Sequence, residues 1–89
     1  MITRGAARAA ATQRLRRAGD DTAPLDADLL VAHVCSIPKE VLYAHLDAPL
    51  TPSEEAALED AVSRRAAGEP VAYIRGYKEF FGLRFAVDR

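Results

Sequence analysis

Thr51-Pro52-Ser53-Glu54 constrains this chain more tightly than any other stretch of it. It has the form of a capping box. The threonine oxygen serves the orphan amide three residues on, and the glutamate reaches back to the threonine amide. Pro52 falls at the first helical position, where its missing N–H costs nothing. Gly68 is placed as a left-handed stop, and Pro70 forbids continuation. The spacing predicts a helix over 52–67, with Leu58, Ala61, Val62 and Arg65 on one face. Asp60 and Arg64 stand at i and i+4 in the favoured order. One amphipathic helix of this length must bury its apolar face against others, and the 89 residues leave room for one small domain.

The rest of the chain supplies those partners. Thr3 can cap a helix over 4–17, where Ala7, Ala11, Leu15 and Ala18 form a weak apolar stripe that Gly19 ends. Its small side chains bury little area, so this helix is expected to be the least firmly docked. A second helix over 24–35, expected to be central, starts at Thr22–Pro24. Its inward face is read as Leu25, Leu29, Ala32 and Ser36, with Leu30 and Val34 beside it. Ser36-Ile37-Pro38 breaks it and opens a short third helix over 39–45, with Val41, Leu42 and Leu46 turned inward and Tyr43 alongside. Pro70 to Ile74 allows one more helical turn. Beyond Gly76 the period changes: Phe81, Leu83, Phe85 and Val87 alternate with Gly82, Arg84, Ala86 and Asp88, a strand pattern. The fold class expected is all-α, a small four- to five-helix orthogonal bundle followed by a C-terminal extended strand. A lone strand needs a partner for its amides and its apolar face, so the chain reads as a piece of a larger protein.

Charge is laid out unevenly. Residues 1–18 carry five arginines and no acid, 19–60 carry ten acids and one base, and 61–89 carry six bases and three acids. Basic and acidic faces that complement one another within the bundle account for this. With a net charge of −1 there is no basic excess of the kind nucleic-acid modules carry, so direct nucleic-acid binding is disfavoured. No apolar run is long enough to span a membrane. A single cysteine, Cys35, permits no internal disulfide and points to a reducing, cytoplasmic setting.

No constellation of catalytic residues stands out. His33 and His45 lie twelve apart without further zinc ligands near them and read as structural or surface residues. Cys35 reads as a small buried residue. Asp20, Asp21, Asp26 and Asp28 lack the glycine-bearing turn of a calcium loop and read as turn and helix-cap residues. Glu54, Glu55 and Glu59 read as capping and solvated positions. The glycines at 5, 19, 68, 76 and 82 are too scattered to cradle a phosphate or an adenosyl cofactor. Catalytic, cofactor-binding and metal residues are each expected to be none. Five of the six aromatics, Tyr73, Tyr77, Phe80, Phe81 and Phe85, cluster near the C-terminus and read as an apolar seam to a neighbouring domain.

The run from Arg64-Arg65 through Gly68-Glu69-Pro70, Ala72-Tyr73-Ile74, Gly76, Glu79-Phe80, Gly82-Leu83, Phe85 and Val87 resembles the domain junction of the HemK/PrmC family, the peptide chain release factor N5-glutamine methyltransferases. Leu25 to Val34 is similar to that family's second helix, and Leu42, Tyr43 and Leu46 to its third. The resemblance covers roughly 25–89; residues 1–20 match only as an amphipathic helix. It implies an N-terminal helical bundle at 1–76. It also implies the first arm of an interdomain β-hairpin at 77–89, leading to a Rossmann-like methyltransferase domain outside these residues. The parent activity implied is methyl transfer from S-adenosylmethionine to the glutamine of the Gly-Gly-Gln motif in class 1 release factors. The family's glycine-rich cofactor loop and Asn-Pro-Pro-Tyr motif belong to that second domain and do not occur here. The resemblance thus implies S-adenosylmethionine in the parent enzyme and no cofactor in these residues. The partners implied are a class 1 release factor and the protein's own catalytic domain. The acidic second helix and the arginine-rich first helix are the candidate docking faces. The rival readings are a free-standing helical protein-binding adaptor and a small nucleic-acid-binding module.

Overall fold

The structure, a computed structural model, describes residues 2–74. Four helices follow one another: α1 (Arg4–Arg17), α2 (Ala23–Cys35), α3 (Lys39–Ala44) and α4 (Pro52–Ala66), with one further helical turn at 71–74. The class is the expected all-α bundle. The strand expected over 81–87, the hairpin arm at 77–89, the domain boundary at 76 and most of the aromatic cluster lie outside the described residues.

Local signals set the ends of each helix. The Thr3 oxygen accepts the Ala6 amide at 3.1 Å, which caps α1. In α4 both halves of the capping box form: Thr51 Oγ1 accepts the Glu54 amide at 3.0 Å, and the Glu54 carboxylate accepts the Thr51 amide at 2.9 Å. At the other end of α4, Gly68 takes φ +104°, a conformation side chains rarely tolerate. There the Gly68 amide donates to the Arg65 carbonyl at 2.9 Å and the Glu69 amide to the Arg64 carbonyl at 3.0 Å. This is a Schellman termination. The same pair of bonds closes α2, with Ser36 itself left-handed at φ 59°.

The core is Ala7, Ala11 and Leu15 from α1, Ala23, Ala27, Leu30, Val31, Ala32 and Cys35 from α2, Leu42 from α3, Leu50 from the loop before α4, and Leu58, Ala61 and Val62 from α4. α2 is central, touching all three other helices.

Two expectations about packing need correction. First, α1 is not the loosely docked helix. It lies against both α2 and α4, and its alanines are what allow the close approach to α2. Its first free amides are also held: those of Arg4 and Gly5 donate to the Ala48 and Leu46 carbonyls, each at 2.8 Å. Gly5 suits this close approach, since a Cβ would sit 3.3 Å from the Leu46 carbonyl oxygen and push it by a few tenths of an ångström. Second, of the face expected for α2, Ala32 and the neighbouring Leu30 are buried, but Leu25 is 45% exposed and Ser36 is at the surface, and Ala23, Ala27 and Val31 turn inward instead. Apolar residues surround this helix on most sides, so periodicity alone does not single out a face. In α3, Leu42 is buried as expected while Val41 is exposed; Leu46, past the end of that helix, is partly buried.

Candidate functional site

The charged residues of this bundle face one another more than they face solvent. Asp28, in the first half of α2, is buried. Arg8 Nε from α1 donates to its Oδ1, and the Tyr43 hydroxyl from α3 donates to its Oδ2. The Arg8 guanidinium also lies 5.4 Å from the centroid of the Tyr43 ring, within range of a cation–π contact. One carboxylate thereby ties three helices together. Bonding to Asp28 holds the Tyr43 phenol above its ordinary pKa, with burial adding to the effect, so it remains a proton donor. Asp28 likewise keeps the Arg8 guanidinium firmly charged.

A second cluster gathers on Arg65, in the last turn of α4. Arg65 Nε donates to Asp26 Oδ2 at 2.9 Å, and Arg65 Nη2 to Asp20 Oδ1 at 3.2 Å. Thr22 joins both carboxylates: its amide donates to Asp20 Oδ1 at 3.0 Å and its hydroxyl to Asp26 Oδ2 at 3.0 Å. Two carboxyls share one guanidinium, so their protonation is linked. Asp26 is pushed above the ordinary carboxylate range by burial and then by its neighbour Asp20. For Asp20, burial acts the same way, but Asp26, the Thr22 amide and the charge of Arg65 together outweigh it and hold it below that range.

Two further pairs lie on the outside of α4. Arg14 from α1 grips Glu59 with 2.9 Å bonds to both oxygens and donates to the Ser63 hydroxyl at 2.7 Å. Arg64 lies 3.9 Å from Asp60, the expected i,i+4 pair, and grips Glu69 beyond the helix end.

Asp20 keeps its expected turn role. Asp26 and Asp28 do not remain mere cap residues: they are buried ion-pair partners. Asp26 and Asp28 of the second helix and Arg8 and Arg14 of the first are thus engaged within the bundle. A signal for this was present in the sequence. Arg65 falls on the buried face of α4, and a guanidinium there needs a carboxylate from a neighbouring helix.

Among the surfaces left open, a groove of about 210 Å³ runs between α1 and α4. Its floor is apolar, with Ala7, Ala10 and Ala11 on one side and Leu50, Leu58 and Val62 on the other; Glu55 and the Arg14–Glu59 pair stand on its rim. At the end of α1, Arg16 and Arg17 are exposed. Cys35 is buried, and burial pushes its thiol above the ordinary range, with the charge of Glu54 adding to the shift. A neutral buried thiol is a packing residue. Among the described residues no group of three or more histidine, cysteine, aspartate or glutamate side chains could hold a metal ion. No helix among them is long and apolar enough to cross a membrane.

Residues 6–76 match the family model described as the PrmC N-terminal domain. The chain belongs to the PrmC N-terminal domain family. Similar proteins agree. The chain is 42% identical over 98% of its length to a release factor glutamine methyltransferase of Vibrio cholerae, of which it covers 30%. It is 45% identical over 90% of its length to one of Cereibacter sphaeroides, covering 29% of that protein. A bifunctional methyltransferase of Rickettsia conorii is 37% identical over 89% of the chain, which covers 15% of that protein. No solved structure matches. The chain thus spans under a third of these curated relatives, and its PrmC-type bundle corresponds to one part of them. The Arg64-Arg65…Gly68-Glu69-Pro70 run that carried the resemblance lies inside the matched PrmC segment, as do the two buried ion-pair clusters.

Proposed function

We propose that this chain is the substrate-docking bundle of a methyltransferase that modifies the glutamine of the Gly-Gly-Gln motif in class 1 peptide chain release factors. The observation that carries the reading is the near-complete coverage of the chain by proteins named release factor glutamine methyltransferase, of which it is under a third. In this reading 1–76 is the bundle, 77–89 begins a linker hairpin, and a Rossmann-like domain follows. S-adenosylmethionine supplies the methyl group when bound to that later domain. The glycines among the described residues, at 5, 19 and 68, are too scattered along the chain to form a cofactor cradle of the glycine-rich kind.

The bundle's own contribution is placement. Holding a large protein substrate so that one glutamine side chain meets a distant cleft removes translational and rotational freedom before reaction. The rigid framework for this comes from Asp28 and Arg65, which fix the helices to one another. The open surface available for contact is the α1–α4 groove with the exposed Arg16 and Arg17 nearby in α1. The test is kcat/KM of the parent enzyme toward a release factor, with and without residues 1–70. A loss of tenfold or more is expected on deletion. An unchanged value would remove the docking role and leave the bundle as a stabilising element.

A further inference from the structure

The chain leaves α4 through a charged clamp. Arg64 Nε donates to Glu69 Oε1 at 2.9 Å, and Arg64 Nη2 bonds Glu69 Oε2, a two-pronged grip. Arg65 Nη1 donates to the Glu69 carbonyl at 3.2 Å. Arg65 is itself anchored on Asp26 and Asp20, which are nearly buried, their side chains 8% and 5% exposed. The clamp therefore refers Glu69 back to α2 and the α1–α2 turn as well as to its own helix. Gly68 supplies the left-handed residue that lets the chain double back so that Glu69 reaches both arginines. Pro70 then fixes the next φ, and the Tyr73 amide closes a turn on the Pro70 carbonyl at 3.0 Å. Val71 and Ile74 rest against the core.

A helix stop alone needs none of this. Gly19 ends α1 with the same backbone bonds, but Asp20 after it takes a single guanidinium bond, from Arg65, whereas Glu69 takes two prongs from Arg64 and a third bond from Arg65. Fixing a carboxylate in two prongs and its carbonyl in a third defines a direction in space, because the planar guanidinium restricts both distance and orientation. We propose that Arg64, Arg65 and Glu69 are positioning residues, which set the angle at which the polypeptide leaves the bundle and hence the orientation of the bundle to the domain that follows. This rests on the reading of a parent methyltransferase. It gives the Arg-Arg-x-x-Gly-Glu-Pro run a physical purpose: two grips, a reversal, the gripped residue and a rigid exit.

The experiment uses the parent enzyme in a Cys35→Ser background, with one spin label at exposed Glu40→Cys and a second in the following domain. Glu69→Lys sets a positive charge against both arginines. The interdomain distance distribution should broaden. KM for the release factor should rise about tenfold with kcat within twofold. The charge swap Arg64→Glu with Glu69→Arg, which keeps a planar two-pronged pair although Arg65 stays nearby, should recover most of both, a rescue that a merely destabilising change would not give. Glu69→Gln, which keeps the side-chain shape, should show a smaller broadening and covers the case in which the lysine variant unfolds. An unchanged distance distribution in a folded Glu69 variant would overturn the proposal. A broadened distribution with unchanged KM would uphold the positioning and count against the docking role, which the deletion of residues 1–70 tests separately.

Discussion

A carboxylate buried in a small bundle is tolerable only when it is bonded on several sides. Asp28 meets that condition with one arginine and one tyrosine. Asp26 meets it less fully, because it shares Arg65 with Asp20, and burial first and then the neighbouring Asp20 hold its pKa above the ordinary range. A raised folded pKa means that the protonated form is favoured in the folded state. The stabilisation from that proton is complete below the ordinary value of 3.8 and is lost as pH rises through the raised one. Asp26→Asn resembles the protonated form at every pH. The variant should therefore gain on the unmodified chain as pH rises through that window, then hold a constant difference. Asp20, held below the ordinary range, contributes in the opposite sense: its stabilisation is present at neutral pH and lost on acidification, in both chains. Urea midpoints of the two chains across a pH series measure the difference. A difference that stays flat with pH would show that Asp26 is not strained by its surroundings.

Among the helices, α1 teaches the most. Its composition suggests a weak element, since alanine side chains bury little surface. The weakness is only apparent, because small side chains trade buried area per residue for close approach of the backbones. Ala7 and Ala11 are buried to 3% and 5% exposure, with fully buried Leu15 beside them. The helix is therefore firmly seated. Leu15→Ala, at a fully buried position, should cost about 3 kcal/mol through lost burial and the cavity left behind. Thermal melting would show this as a clear fall in Tm, and an unchanged Tm would mean that α1 is as loosely seated as its composition suggests. Helix ends were legible in the sequence because Thr3, Thr51, Gly19 and Gly68 act within a few residues of themselves. The face of α2 was not, since a helix touched by three neighbours is apolar on several sides. Nor were the partners in the ion pairs, although Arg65 on the buried face of α4 signals that one is needed: Arg8 and Asp28 are twenty residues apart, Asp26 and Arg65 thirty-nine, and only the fold brings them together. The α1–α4 groove, too, required knowing which helices are neighbours.

At the scale of the whole bundle, part of the uneven charge of the sequence is paired across helix contacts among the described residues. The basic first segment and the acidic middle meet across helix contacts, as complementary faces should, which leaves the groove between α1 and α4 as a surface with both an apolar floor and a charged rim. Ala10 stands on the open side of that groove, exposed and outside the core. A glutamate there would place a charge over the floor and beside Glu55 while leaving Ala7, Ala11 and Leu15 untouched. If a release factor segment with an apolar side chain next to a basic one seats in the groove, Ala10→Glu in the parent enzyme should raise KM by about tenfold, roughly 1.4 kcal/mol of lost binding. Because the groove holds none of the reacting groups, kcat at saturating release factor should change less than twofold, and the melting temperature should barely move. Steady-state methylation of a release factor, with melting curves on the same samples, reads all three. Should KM stay at its unmodified value while deletion of residues 1–70 raises it, docking occurs on another face, and the exposed Arg16 and Arg17 at the end of α1 become the surface to substitute next.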